Sequence, residues 1–188
     1  MALTYSSMLE LQTDLIGFDL LNSLSNKNFS SDSLDVDKSS LIMFICNHCP
    51  YVIHYHDEII RLEKDYYKKV NLVAISSNDI INYPQDSPVK MKELWENLGL
   101  SFPYLFDETQ EVAKMYGAER TPEVFLFNEL GLLKYHGTID DNYEDENNVN
   151  KKYLEDAIES LIEGKDPKIS STDPVGCTIK WKINLIDL

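Results

Sequence analysis

The sequence predicts an α/β domain, a mixed central sheet with helices on both faces. Three observations carry that prediction. Residues 40–45 and 71–76 are short, nearly continuous apolar runs, as expected of strands covered on both sides. Segments with helical spacing of apolar residues follow each run. Two strand-like stretches joined by a short turn, then a last amphipathic helix, complete the pattern at residues 123–138 and 151–163. Alternating strands and helices that end this way describe a sheet between helical layers.

Taken in order, residues 15–21 are expected to pair with Asn28-Phe29 as an N-terminal hairpin. Around them, residues 22–40 are rich in Ser, Asn and Asp and read as turns. Residues 40–45 form the first buried strand. Residues 51–70 carry Val52, Ile59, Leu62 and Tyr66 at near-helical spacing, and 71–76 is the next buried strand. Residues 88–98 place Met91, Leu94, Trp95 and Leu98 on one helical face. A short helix over 108–116 ends at Gly117. Strands 123–128 and 132–138 turn at 129–131. The helix over 151–163 faces Leu154, Ile158, Leu161 and Ile162 inward and ends at Gly164. Beyond it, Ile179, Trp181 and Ile183 share one side of a tail that either adds an edge strand or drapes over the domain.

The length of 188 residues suits one domain over 1–188. Within it, 1–39 is an N-terminal extension, 40–164 the core and 165–188 a tail. A net charge of −15 argues against nucleic acid or an anionic membrane as partner. No apolar run approaches the ~20 residues of a membrane span. Residues 1–11 show no basic region followed by an apolar run, so a cytoplasmic location is expected. Three cysteines are too few for a disulfide-stapled scaffold. In a reducing compartment a cysteine pair is there for catalysis or metal.

The pair is Cys46-Asn47-His48-Cys49-Pro50, between the first buried strand and a helix. A strand that ends in Cys-x-x-Cys at a helix N-terminus is the layout of a thioredoxin-type redox site. If the helix starts at Cys46, its dipole stabilises a thiolate there, below the ordinary value of about 8.5. Cys49, one turn in, is then the more buried resolving thiol. His48 becomes cationic near neutral pH and favours the Cys46 thiolate, which makes the disulfide more oxidising. Pro50 falls where helical N–H groups lack partners anyway. Tyr51, Tyr55, Phe102, Tyr104 and Phe106 read as core and rim, with a groove-shaping role for Tyr51, beside the motif, as the alternative. Thr121-Pro122 precedes a strand; a proline there leaves the preceding backbone open to an incoming peptide.

Structural zinc is the competing use of the pair, and it needs two further ligands. His54 and His56, two apart on a helix, face different ways. His54, His56 and His136 read as solvated or satisfied surface residues. Asp140-Asp141 and Glu144-Asp145-Glu146 read as solvated loop charge. Cys177 is either a buried small apolar residue or a thiol that reaches Cys46 or a second chain.

At these residues the chain resembles the thioredoxin superfamily, closest to its peroxiredoxin-like group, which is placed with the alkyl hydroperoxide reductase/thiol-specific antioxidant family. The matching pieces run in one order: Phe-Ile-Cys-Asn-His-Cys-Pro-Tyr-Val at 44–52, Phe-Pro-Tyr-Leu-Phe-Asp-Glu-Thr-Gln-Glu-Val-Ala at 102–113, Thr-Pro-Glu-Val-Phe-Leu-Phe at 121–127 and Gly-Cys-Thr-Ile-Lys-Trp at 176–181. The resemblance implies a thioredoxin fold and a thiol–disulfide oxidoreductase. Cys46 is then the attacking thiol and Cys49 the resolving thiol. His48 matches the histidine of Cys-x-His-Cys sites, and Pro122 the family's cis-proline. Asn47, Tyr51 and Thr121 border the substrate.

No metal or organic cofactor is implied. The partners are a protein or small-molecule disulfide or thiol and a reducing thioredoxin or glutathione system. A thiol peroxidase is the alternative. However, aligning the peroxidatic cysteine with Cys49 puts Cys46 at the signature threonine and Ile42 at the signature proline. Aligning it with Cys46 puts Met43 and Ser39 there. The position of the family's distant arginine holds Thr121, beside Arg120. A third reading is a binding module whose cysteines are a relic.

Overall fold

The structure, a computed structural model, describes residues 9–183; the expectations that fall on residues 1–8 and 184–188 lie outside it. In chain order its strands are β1 (Asp19–Asn22), β2 (Lys27–Ser30), β3 (Ser39–Phe44), β4 (Val70–Ser76), β5 (Tyr104–Phe106), β6 (Arg120–Thr121), β7 (Glu123–Phe127), β8 (Leu133–Gly137) and β9 (Cys177–Thr178). The helices are α1 (Pro50–His54), α2 (His56–Tyr66), α3 (Pro88–Leu98), α4 (Glu111–Tyr116) and α5 (Tyr153–Ile162).

β3 is buried throughout because it lies in the middle of a seven-stranded sheet of order β2-β1-β5-β4-β3-β7-β8. It runs parallel to β4 and antiparallel to β7. Its side chains alternate between the two faces. Leu41 and Met43 pack with Val52, Ile59, Leu62, Trp95 and Ile158, under α1, α2, α3 and α5. Ile42 and Phe44 pack on the other face with Val112, Ala113 and Tyr116 of α4. This is the mixed sheet with helices on both faces that the pattern predicts. Among the described residues, no helix is long and apolar enough to cross a membrane.

Several local expectations shift. The hairpin forms at β1 and β2, with Leu20 opposite Phe29, later than 15–21. Leu15 instead bonds Gly131 O at 2.7 Å, which ties residues before the hairpin to the β7–β8 turn. The single helix over 51–70 is two helices. Tyr55 (φ −91°, ψ 8°) breaks it, and its N–H reaches Val52 O at 3.0 Å, three residues back. Its hydroxyl donates to Asp140 at 2.7 Å, so Asp140 is not merely solvated. Residue 70 already belongs to β4.

His136 is not a surface residue. β8 buries it against Phe125, rings stacked at 4.3 Å, with Nε2 2.7 Å from the buried Glu123 Oε1. His56 is half-buried with Nε2 lacking a hydrogen-bond partner, and burial lowers its pKa. Ile162, expected inside, is 38% exposed, and Ile183, expected on one side with Ile179 and Trp181, is 75% exposed while Ile179 is buried.

Candidate active site

Strand pairing carries β3 to the sheet's end, where Ile45 N–H still bonds Ile75 O at 3.0 Å. The chain then leaves the sheet at Cys46 and enters α1 at Pro50, with Cys49 as the helix N-cap. Pro50 sits in the first turn, where a missing N–H removes no helical bond. Cys46 and Cys49 are 1% and 0% exposed, and both are free thiols. The Thr121-Pro122 bond is cis. Thr121 meets both sulfurs: its Oγ1 lies 3.5 Å from Cys46 Sγ, and its carbonyl accepts from Cys49 Sγ at 3.1 Å. The structure thus gathers Cys46, Cys49, Thr121 and Pro122 at one end of the sheet.

The helix start revises the expected electrostatics. The helix does not begin at Cys46, which stands three residues before the cap. Cys49, the cap residue, points its thiol at the Thr121 carbonyl. Hydrogen bonding from Cys46 pulls the Cys49 pKa down, against burial; the Cys177 thiol, the Val52 N–H and the Cys177 N–H add to it, and the result is about 4. Cys46 is pushed well above the ordinary thiol range, first by its bond to Cys49, then by burial and the Asp86 carboxylate. The two thiols titrate as a coupled pair rather than as independent groups.

His48 is not a lone cation. Its Nδ1 lies 2.6 Å from Oδ2 of Asp86, a fully buried carboxylate, and its ring stacks on Tyr83 at 5.5 Å. Any positive charge on His48 meets a negative one at contact distance, so the field at Cys46 is that of the pair. Asp86 also accepts from Asn47 N–H at 2.8 Å and Asn78 Nδ2 at 2.8 Å. The Asn47 amide is engaged on both ends, donating to Gln85 O and accepting from Tyr104 O–H. Tyr51 packs against Tyr143, rings 5.3 Å apart. Donor atoms of Cys46, His48 and Asp86 lie within 4.8 Å of one another, a set able to hold a metal, although hydrogen bonds already engage His48 and Asp86.

The tail adds the edge strand that the sequence allowed, at Cys177–Thr178 and against β6. The backbone edge at Thr121, expected to stay open for a peptide, is occupied. β9 pairs with β6 antiparallel, Cys177 opposite Thr121 and Thr178 opposite Arg120. Gly176 presses so close that a Cβ there would lie 2.1 Å from Thr121 O. Ile179 N–H bonds Glu119 O at 2.8 Å, and Arg120 donates to Gly176 O at 3.2 Å. Lys180 N–H bonds Asn78 Oδ1 at 2.8 Å, so the tail touches the residue that helps hold Asp86. Asp86, in the loop between β4 and α3, carries no motif that marks it.

The family model for Redoxin matches residues 14–153, most of the chain. The chain belongs to the Redoxin family. Among solved structures, an uncharacterised conserved protein from Geobacillus kaustophilus is 40% identical, with a TM-score of 0.91 and 98% of each chain covered. A hypothetical protein from Sinorhizobium meliloti 1021 is 31% identical, with a TM-score of 0.89, covering 96% of this chain and 100% of that one. A secreted disulfide oxidoreductase from Mycobacterium tuberculosis is 18% identical, with a TM-score of 0.52 over 62% of this chain and 79% of its own; it shares the fold alone. Comparison with curated proteins gives no significant match. The fold is thioredoxin-like, and this Redoxin chain has the family and the fold of redox proteins in general. The Redoxin match ends before β9, so the tail pairing lies outside it.

Proposed function

We propose that the protein is a thiol–disulfide oxidoreductase acting through Cys46 and Cys49. The observation that supports this most is a free, buried dithiol at the strand end, with Thr121 against both sulfurs. In the reactive form Cys46 has given up its proton and carries the thiolate, while Cys49 is a thiol. That thiolate attacks a substrate disulfide; a Cys46–substrate bond forms and the other substrate thiolate leaves. Cys49 then gives its proton, through solvent, to the thiolate that left first and attacks Cys46 Sγ; the Cys46–Cys49 disulfide forms, the Cys46–substrate bond breaks, and the second substrate thiolate leaves. The substrate gains two electrons and the pair loses them.

His48, held by Asp86, tunes this exchange. Thr121 and Pro122 position it, and Asn47 and Tyr51 border the approach. A thioredoxin or glutathione system in a cytoplasmic setting re-reduces the pair, with no organic cofactor or metal. The charge of −15 suits neither nucleic acid nor an anionic membrane as a partner.

The test is reduction of a protein disulfide under a glutathione couple, with Cys46→Ser and Cys49→Ser beside the native chain. The expected result is turnover by the native protein, none by Cys46→Ser, and trapped mixed disulfides with Cys49→Ser. Full activity in Cys46→Ser with no trapped species in Cys49→Ser overturns the reading.

A further inference from the structure

The two site thiols are sealed from solvent, yet a third lies against them. β9 places Cys177 opposite Thr121, whose carbonyl contacts Cys49 Sγ at 3.1 Å. Both the Cys177 thiol and its backbone N–H act on the Cys49 sulfur. The tail is fixed on both sides of this residue: Gly176 against Thr121 O, Ile179 N–H to Glu119 O, and Lys180 N–H to Asn78. Cys177 itself is half-exposed and packs at the margin of the core that contains Cys46 and Cys49. It therefore stands where an incoming peptide's cysteine would stand, on the backbone edge such a peptide would pair with.

We propose that Cys177 is a third redox thiol, which takes over the disulfide from Cys46 to form Cys49–Cys177. This rests on the reading that Cys46 and Cys49 undergo exchange. Once the Cys46–Cys49 disulfide exists, the Cys177 thiolate attacks Cys49 Sγ. The Cys49–Cys177 bond forms and the Cys46–Cys49 bond breaks. Cys46 leaves as thiolate and takes up the proton that Cys177 gave to solvent. The step is an isomerisation without net oxidation.

Part of what opposes ionisation of Cys177 in the reduced protein, after burial, is the charge and hydrogen bond of Cys49. That part disappears when Cys49 is in a disulfide. The product exposes one sulfur. A small external thiol attacking at Cys177 expels Cys49, the better leaving thiolate. The new disulfide is thus the form through which a solvent thiol reaches a buried site.

The test uses the full-length native protein, reduced and then equilibrated with oxidised glutathione over a range of ratios. Samples are quenched with acid, free thiols are blocked, and disulfides are mapped by mass spectrometry after digestion. The expected result is Cys49–Cys177 in about one molecule in ten or more at some ratio. A parallel Cys46→Ser sample should hold Cys49–Cys177 as its main intramolecular disulfide, its fold checked by circular dichroism. A native protein that yields only Cys46–Cys49 at every ratio overturns the inference and leaves the proposed function standing. A native protein that forms neither disulfide overturns both.

Discussion

The N-terminal hairpin and the C-terminal tail each add backbone to the edge of a strand, with opposite consequences for the thiols. β1 joins β5 through Leu21 opposite Phe106 and Asn22 opposite Leu105, and carries β2 with it, so the main sheet gains two strands. Just past β1, Ser23 donates to Tyr104 O through both its backbone N–H at 3.0 Å and its hydroxyl at 2.9 Å. β9 adds only two residues, to the two-residue β6. Those two residues lie at Thr121, which touches both site sulfurs. The extent of pairing therefore does not measure functional weight. What matters is which end of the sheet is covered, since α/β sheets keep their chemistry beyond the carboxyl ends of parallel strands, where β3 delivers Cys46.

That contrast can be broken or sharpened by experiment. The largest effect belongs to the thiols: Cys46→Ser should lower disulfide exchange on the order of a thousandfold, as removal of a nucleophile does elsewhere, measured with a protein disulfide substrate. Next is the tail. Gly176→Ala places a methyl where no space exists. It should cost about 1–3 kcal/mol of stability by overpacking and speed alkylation of the site cysteines about tenfold as β9 lifts, a gain of about 1.4 kcal/mol in access. Unchanged alkylation would mean that the tail does not seal the site.

A third effect is on charge. The Cys49 value is depressed to about 4, first by the Cys46 thiol beside it. A depressed value stabilises the reduced fold above the unfolded thiol's range and loses that stabilisation as pH falls toward the folded value. The melting temperature of the reduced native protein, relative to Cys49→Ser, should therefore rise between about pH 5 and about pH 8. Thiolate ultraviolet absorbance should report one thiolate over the same range. The smallest effect belongs to the hairpin. Leu20→Ala removes a half-buried side chain packed on the α4 face. It should cost about 1–2 kcal/mol in chemical denaturation and leave alkylation rates unchanged.

The fold was legible in the sequence where local pattern and burial agree. Continuous apolar runs gave β3 and β4, and Gly117 and Gly164 marked the ends of α4 and α5. The cysteine pair was legible as a unit because strand, motif and helix are contiguous. The division of charge between the two sulfurs was not. It depends first on the contact between the two thiols, then on burial and on Cys177, more than a hundred residues away in sequence. Asp86 was invisible for the same reason: it lies 38 residues beyond His48, in a loop, and only tertiary structure brings its carboxylate under the imidazole. The break at Tyr55 was hidden because apolar spacing continues across it; the hydrogen bond to Asp140 lies outside any local window.

One buried group on the far side of Pro122 bears on how the site receives a strand. Glu123 is fully buried, and its Oε2 accepts the backbone N–H groups of Glu119 and Arg120, both at 2.9 Å, while Oε1 meets His136. The backbone leading to Thr121 is thereby held from inside, by bonds that do not involve the tail. If β9 departs, the edge it leaves keeps its shape. An arriving peptide then bears the ordering entropy of its own backbone and none for the edge, which is how preorganisation raises affinity without adding a contact. A carboxylate turned away from that edge would thus remove the edge's share of the ordering cost from any strand that pairs there.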